Sequence, residues 1–84
     1  MNFNEWKQLA EEGKAEAQYN LGLLYSLGKE IPKNDSEAIK WYLRAAEQGF
    51  AEAQTNLGLM YGKGQGVEPN FNEAVKWYRL AAEQ

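Results

Sequence analysis

Apolar residues recur along this chain with the spacing of amphipathic α-helices. Within residues 38–46, apolar side chains stand at positions i, i+3, i+4, i+7 and i+8, which form one face of a helix. Residues 17–25 show a similar spacing, with a different set of side chains. No segment has the period-two alternation that predicts a half-buried strand. The pattern therefore predicts an all-α fold.

The sequence also repeats itself at an offset of about 36 residues. Residues 15–48 match residues 51–84, and about 20 of the 34 aligned positions are identical, far beyond chance. Each copy contains two helical stretches, a first helix A and a second helix B. The same register makes residues 1–14 a half-repeat with helix B alone. We therefore expect one domain with five helices in the order B-A-B-A-B, divided as 1–14, 15–50 and 51–84.

Capping signals support these helix boundaries. Three asparagine–glutamate pairs have the spacing of a capping box, in which each side chain accepts the other residue's backbone N–H: Asn2 with Glu5, Asn34 with Glu37, and Asn70 with Glu73. The first pair stands about one helical turn closer to its closing glycine, which predicts a shortened first helix. Glycines that can adopt positive φ follow the helices at Gly13, Gly28, Gly49 and Gly64.

The composition excludes several classes of function. The 84 residues include no Cys and no His, so disulfides, thiolate metal sites and imidazole proton shuttles are absent. The formal net charge of −3, with nine dispersed Lys and Arg residues, opposes binding to nucleic acid. We expect no metal, no cofactor and no catalytic site.

Membrane and export signals are also missing from the sequence. No apolar run approaches the roughly 20 residues that cross a bilayer. Residues 1–5 lack the basic and apolar regions of a signal peptide, although a leader removed earlier would leave no trace. We therefore expect a cytoplasmic chain without membrane contact.

Two motifs together resemble a known family. The string Ala-x-Ala-Gln-x-x-Leu-Gly-x-x-Tyr occurs at 15–25 and 51–61, and Ala-x-Lys-Trp-Tyr-x-x-Ala-Ala-Glu-Gln occurs at 38–48 and 74–84. This combination resembles the Sel-one-like repeat family, within the tetratricopeptide-like superfamily. The resemblance implies a right-handed α-solenoid of antiparallel helix pairs, with A helices lining a concave surface. It also implies a non-enzymatic adaptor that binds proteins or peptides.

Three groups of residues have a chemical interpretation that we weigh against a structural one. Glu37 and Glu73 form a carboxylate pair, but both stand at helix starts, where caps belong. The glycine-rich segment 62–66 matches neither phosphate-loop fingerprint and is predicted to be a turn. The aromatic residues of helix B are predicted to lie in the core rather than to form a binding cage: Trp41, Tyr42, Trp77 and Tyr78.

The candidate binding residues lie on the A helices, away from the predicted core face. In the first repeat they are Glu16, Tyr19, Leu23, Ser26 and Leu27. In the second repeat they are Glu52, Thr55, Leu59 and Lys63. Four of these residues form an apolar row typical of a peptide groove: Tyr19, Leu23, Leu27 and Leu59. Alternatively, the three leucines only seal the contact between neighbouring A helices, an interpretation that fits Tyr19 least well.

The sequence therefore favours a non-enzymatic protein-binding module whose ligand is a protein or peptide segment. A purely structural scaffold, engineered or excised from a longer array and without a ligand, is the alternative. Val75 and Leu80 on the last helix have no following A helix to cover them, which predicts self-association through terminal helices or a longer array.

Overall fold

The computed structural model describes all 84 residues, Met1–Gln84. It contains five α-helices and no strand: α1 (Phe3–Glu11), α2 (Ala15–Leu27), α3 (Asp35–Glu47), α4 (Ala51–Lys63) and α5 (Phe71–Ala82). Helices α2 and α4 are the A helices, and α1, α3 and α5 are the B helices. The all-α prediction and the B-A-B-A-B order are confirmed, and α1 is shortened as expected.

Extensive contacts join only helices that are consecutive in the chain: α1 with α2, α2 with α3, α3 with α4, and α4 with α5. This nearest-neighbour packing is typical of a solenoid, in which each unit buries its apolar face against the next. The result is a flattened body with extents of 34 × 25 × 14 Å. Helices α2 and α4 both pack against α3, and residues of all three helices line a common pocket.

Two apolar clusters form the core. The smaller cluster joins the first three helices through Ala10, Ala17, Leu21 and Trp41. The larger one joins the last three helices, and Tyr42 of α3, Leu57 of α4 and Trp77 of α5 belong to it. Alanines fill much of both clusters, so the helices approach closely while the aromatic rings occupy the remaining space.

The aromatic prediction for helix B is confirmed for three of its four residues. Trp41, Trp77 and Tyr42 are buried, and Tyr42 is only 1% exposed. The prediction is wrong for Tyr78, which is 42% exposed. Tyr42 is covered by α4, whereas none of the five described helices covers Tyr78 in the same way.

The capping boxes are complete at only one of the three predicted positions. Asn2 and Glu5 each accept the other's backbone N–H at 2.9 Å. The Asn34 side chain accepts the Glu37 N–H at 3.0 Å, but the reciprocal bond is absent there. The Asn34 N–H instead donates to the Tyr25 carbonyl oxygen at 2.9 Å, so it needs no carboxylate partner.

The second repeat shows the same incomplete box. The Asn70 side chain accepts the Glu73 N–H at 3.0 Å, while the Asn70 N–H donates to the Tyr61 carbonyl at 2.9 Å. The carboxylate of Glu73 pairs with Lys76 at 3.6 Å instead. The reciprocal half of the prediction was therefore wrong at Asn34 and Asn70, because the preceding A helix already supplies the acceptor.

Buried glutamines connect each A helix to the two B helices beside it. Gln18 Nε2 donates to the Ala10 carbonyl of α1 at 3.1 Å, and its Oε1 accepts from Gln48 Nε2 at 2.9 Å. The second repeat reproduces both bonds: Gln54 donates to Ala46 at 3.1 Å and accepts from Gln84 at 2.6 Å. The repeated Ala-Gln and Glu-Gln motifs therefore form a polar link across each set of three helices. This link satisfies amides that would otherwise be costly to bury.

Candidate functional site

A pocket of about 150 Å³ lies between the two A helices, over the middle of α3. Seven residues line it: Leu23 and Ser26 of α2, Tyr42 of α3, Asn56, Leu59 and Met60 of α4, and Gln65 of the following turn. Both repeats contribute to this lining. The pocket therefore exists only where two repeats meet.

The Tyr42 hydroxyl gives the pocket a polar interior. Burial raises the pKa of Tyr42, and hydrogen bonding with the Ser26 and Asn56 side chains opposes that rise. The negative charge of Asp35 raises the pKa of Tyr42 further. The hydroxyl consequently stays protonated near neutral pH and is available both to donate and to accept a hydrogen bond.

Two exposed leucines stand on the A helices on either side of this region. Leu27, near the end of α2, is 62% exposed, and Leu59 of α4 is 43% exposed. Leu59 also lines the pocket directly. A contact between α2 and α4 therefore leaves a large part of both side chains accessible in these 84 residues.

The structure corrects the prediction for Tyr19, which does not point away from the core. Its ring packs against the rings of Tyr42 and Phe50, with centroid distances of 5.7 and 5.2 Å. Leu23 is also half-buried against the larger cluster while it lines the pocket. A helical wheel of α2 could not predict the two ring contacts of Tyr19, because Tyr42 belongs to α3 and Phe50 precedes α4.

The remaining predicted residues are distributed differently. Ser26 is half-buried and lines the pocket. Four others are exposed and lie outside the pocket lining: Glu16, Glu52, Thr55 and Lys63. The structure thus brings three of the nine predicted residues together in one pocket, namely Leu23, Ser26 and Leu59.

Sequence reasoning missed four lining residues: Tyr42, Asn56, Met60 and Gln65. Tyr42 was assigned to the core, which is correct for its ring but overlooks its hydroxyl. Asn56 occupies the same position in its repeat as Asn20 in the other, so comparing the repeats did not single it out as a binding residue. Gln65 belongs to a turn whose position depends on how α4 packs against α3. No local pattern could have indicated its role.

The structure does not form a catalytic site from the glutamate pair or a phosphate loop from the glycine-rich segment. Glu37 lies beside Lys40 at 3.5 Å, and Glu73 lies beside Lys76, so each carboxylate belongs to an ion pair on its own helix. The glycine-rich segment is the turn after α4, in which Gly64 and Gly66 have positive φ. No group of acidic side chains has the arrangement of a metal site. None of the five helices has the length and apolar character needed to span a bilayer.

The comparison with protein families identifies the fold. The Sel1 repeat model matches residues 15–50 and 51–84. The chain belongs to the Sel1 repeat family. The α-solenoid expected from the motifs is thereby confirmed, and proteins with Sel1 repeats are in general non-enzymatic protein-interaction modules.

Solved Sel1 repeat structures superimpose closely on this chain. A Sel1 repeat protein from Oxalobacter formigenes has 56% sequence identity and a TM-score of 0.85, over 87% of this chain and 30% of that one. The protective antigen c5321 of uropathogenic Escherichia coli has an SLR fold with 44% identity and a TM-score of 0.94. That match covers 99% of this chain and 18% of the antigen.

One characterised relative is named for a protein ligand. The secretory immunoglobulin A-binding protein EsiB of Escherichia coli O6:H1 (strain CFT073) is 47% identical over 45 residues. This match covers 54% of the Sel1 repeat chain and 9% of EsiB. The chain thus spans less than a third of the length of each of these three relatives.

Proposed function

We propose that this Sel1 repeat chain binds an extended segment of another protein on the concave face formed by α2 and α4. The observation that carries the proposal is the pocket between the two A helices, with the accessible Leu59 at its edge and Leu27 nearby. Recognition sites of this kind combine apolar contact area with a few polar groups that fix orientation. Leu59 and Leu27 supply the first requirement, and Tyr42 and Asn56 supply the second.

The charges on the A helices favour a neutral or basic segment. Glu16 and Glu52 are exposed in the first turns of α2 and α4, and the chain as a whole has a formal net charge of −3. Like charges placed opposite each other weaken association, so an acidic segment would be rejected. EsiB, which shares part of this sequence and is named for an immunoglobulin ligand, supports a protein as the partner class.

A peptide-display selection against the folded chain, followed by calorimetric titration, tests the proposal. The decisive variant is Leu59→Ser, whose side chain has one face in the pocket and one in solvent. We expect a loss of about tenfold in affinity, since burying a leucine is worth about 1.5 kcal/mol or more. Leu80→Ser is the matched control, because Leu80 is a similarly exposed leucine on the B helix α5.

Circular dichroism must show that both variants keep their helix content. Leu27→Ser provides a second test at the other A helix, and it avoids Tyr19, whose removal would disturb packing. Unchanged affinity in both A-helix variants, or an equal loss in Leu80→Ser, would place binding elsewhere. If no peptide is selected, the chain is better described as a structural scaffold.

A further inference from the structure

We infer that the pocket between α2 and α4 accepts a primary-amide side chain, Gln or Asn, of the bound segment. This inference rests on the proposed function and specifies which side chain anchors the segment. It follows from three properties of the pocket: its hydrogen-bonding groups, its lack of charge and its size.

The hydrogen-bonding groups of the pocket are neutral and both donate and accept. Tyr42 and Ser26 contribute hydroxyls, and Asn56 contributes an amide. The Ser26 and Asn56 side chains hydrogen-bond with the Tyr42 hydroxyl, and each group keeps capacity for a further bond, because a hydroxyl has one donor and two acceptor sites and an amide has two donors and a carbonyl. Gln65 Nε2 lies 3.5 Å from Asp35 Oδ1, which leaves the Gln65 amide oxygen as an acceptor. An incoming amide, with two N–H donors and one carbonyl acceptor, matches this set.

The charges near the pocket disfavour an acidic side chain of the bound segment, and they do not favour a basic one. No Lys or Arg lines the pocket. A carboxylate would therefore be desolvated without a cation to compensate it. Asp35 is already paired with Lys33 at 3.0 Å, so it is not a free partner for an incoming ammonium group.

The volume of the pocket fits one side chain of moderate size. Cavities of about 150 Å³ hold a group the size of benzene, which has six heavy atoms. The side chain of Gln, with five heavy atoms beyond Cα, fills such a space, and Leu23 and Leu59 contact its methylene groups.

The internal repeat shows that this chain contains only one complete set of these groups. One repeat earlier, the position of Tyr42 is occupied by Trp6, which has no hydroxyl. One repeat later, the position of Ser26 is occupied by Gly62, which has no hydroxyl. The inference therefore predicts one amide anchor within these 84 residues.

Selection from a random dodecapeptide display library against the whole chain provides the probe. Selected peptides that compete for the same site are sequenced and aligned, and the position at which they share a residue is identified. The peptide with the highest affinity is then synthesised with Gln, Glu, Lys or Leu at that shared position. We expect one shared Gln or Asn, and a loss of about tenfold or more in affinity for each replacement, because neutral hydrogen bonds are lost.

The variant Tyr42→Phe tests whether the peptide's amide side chain binds in this pocket. It keeps the buried ring and removes only the hydroxyl, so we expect Gln and Leu peptides to bind it with affinities within about threefold of each other. Tyr78→Phe, the same change at the uncovered position, should retain the tenfold preference.

The outcomes separate this inference from the proposed function. Peptides that bind in a Leu59-dependent way but prefer Glu, Lys or Leu at the shared position would overturn the amide inference alone. The same holds if Tyr42→Phe keeps the full preference for Gln. A library without binders would overturn the proposed function, and the amide inference with it.

Discussion

The ring of Tyr42 occupies the space in which a side chain at Gly22 would begin. A Cβ atom built on Gly22 would lie 2.7 Å from both Cδ1 and Cε1 of that ring, and 3.2 Å from the Ala38 carbonyl oxygen. The second repeat has the same contact, with 2.8 Å from a Cβ on Gly58 to the Tyr78 ring. The two contacts differ in one respect: Tyr42 is enclosed by α4, and Tyr78 is open to solvent.

Replacing Gly22 with alanine should therefore destabilise the protein, whereas the same change at Gly58 should have little effect. Overpacking costs about 1–3 kcal/mol in a closed core, and the gain in helix propensity returns only about 1 kcal/mol. We expect Gly22→Ala to lower the free energy of unfolding by up to about 2 kcal/mol, as measured by urea denaturation. At Gly58, the exposed Tyr78 ring can move aside.

Gly62→Ala serves as the control for helix propensity alone. A Cβ atom at Gly62 would lie 3.8 Å from the Ala74 Cβ, which is ordinary contact, and this glycine lies within α4. We expect it to raise the free energy of unfolding by up to about 1 kcal/mol. Equal effects of alanine at Gly22 and Gly58 would show that the enclosure of Tyr42 does not restrain its ring.

Much of this fold follows from the sequence, because helix spacing and the internal repeat are local signals. The turns after the A helices were predictable for the same reason: Gly28 and Gly64 adopt positive φ, as expected. Glu30 also has a positive φ of 69°, although it is not a glycine. Only the alignment with Gly66, whose φ is 75°, could have indicated this.

The pocket was only partly predictable, because its members come from three helices and one turn. Leu23, Ser26 and Leu59 were found because A-helix positions off the core face are accessible to a helical-wheel argument. The role of the Tyr42 hydroxyl could not be found that way. It depends on the position of Asn56, which is set by the packing of α4 on α3.

Gln54 should contribute to stability through its buried amide. This side chain is only 4% exposed, and it bonds both the Ala46 carbonyl and the Gln84 amide. We expect Gln54→Leu to lower the free energy of unfolding by about 1–2 kcal/mol, since each lost bond costs about 0.5–1.5 kcal/mol. Thermal and urea unfolding both measure this change.

Gln84→Ala is the matched control for the glutamine link. It removes the bond from Gln84 to Gln54 but leaves the bond from Gln54 to Ala46, and Gln84 itself is exposed. Its effect should be the smaller of the two. A larger loss in Gln84→Ala than in Gln54→Leu would contradict this assignment.

The buried hydroxyl of Tyr42 should make stability fall at alkaline pH. Burial raises the pKa of Tyr42 above its ordinary value of 10.0, so the unfolded chain ionises first as the pH rises. The contribution is fully present below pH 10 and is lost as the pH rises through the folded pKa. We expect Tyr42→Phe to show a smaller decrease in unfolding free energy as the pH rises above about 10. Identical pH profiles for the two proteins would contradict this.

Self-association through α5 is a separate expectation, since Phe71 and Tyr78, seven residues apart on one face of that helix, are exposed. Large exposed apolar patches mark association surfaces. We expect the mass measured by sedimentation equilibrium to rise with protein concentration. Phe71→Glu should suppress that rise, and Leu27→Glu, at an exposed leucine on α2, should not. A monomeric mass at every concentration would exclude association through this face.

The pocket spans two helices that are connected mainly through a third. Extensive contacts join α2 to α3 and α3 to α4, so the distance between α2 and α4 depends on how α4 is seated on α3. A small rotation at that junction opens or narrows the pocket, and the same rotation bends the array. The width of the pocket and the curvature of the solenoid therefore change together. A side chain bound in the pocket would fix both.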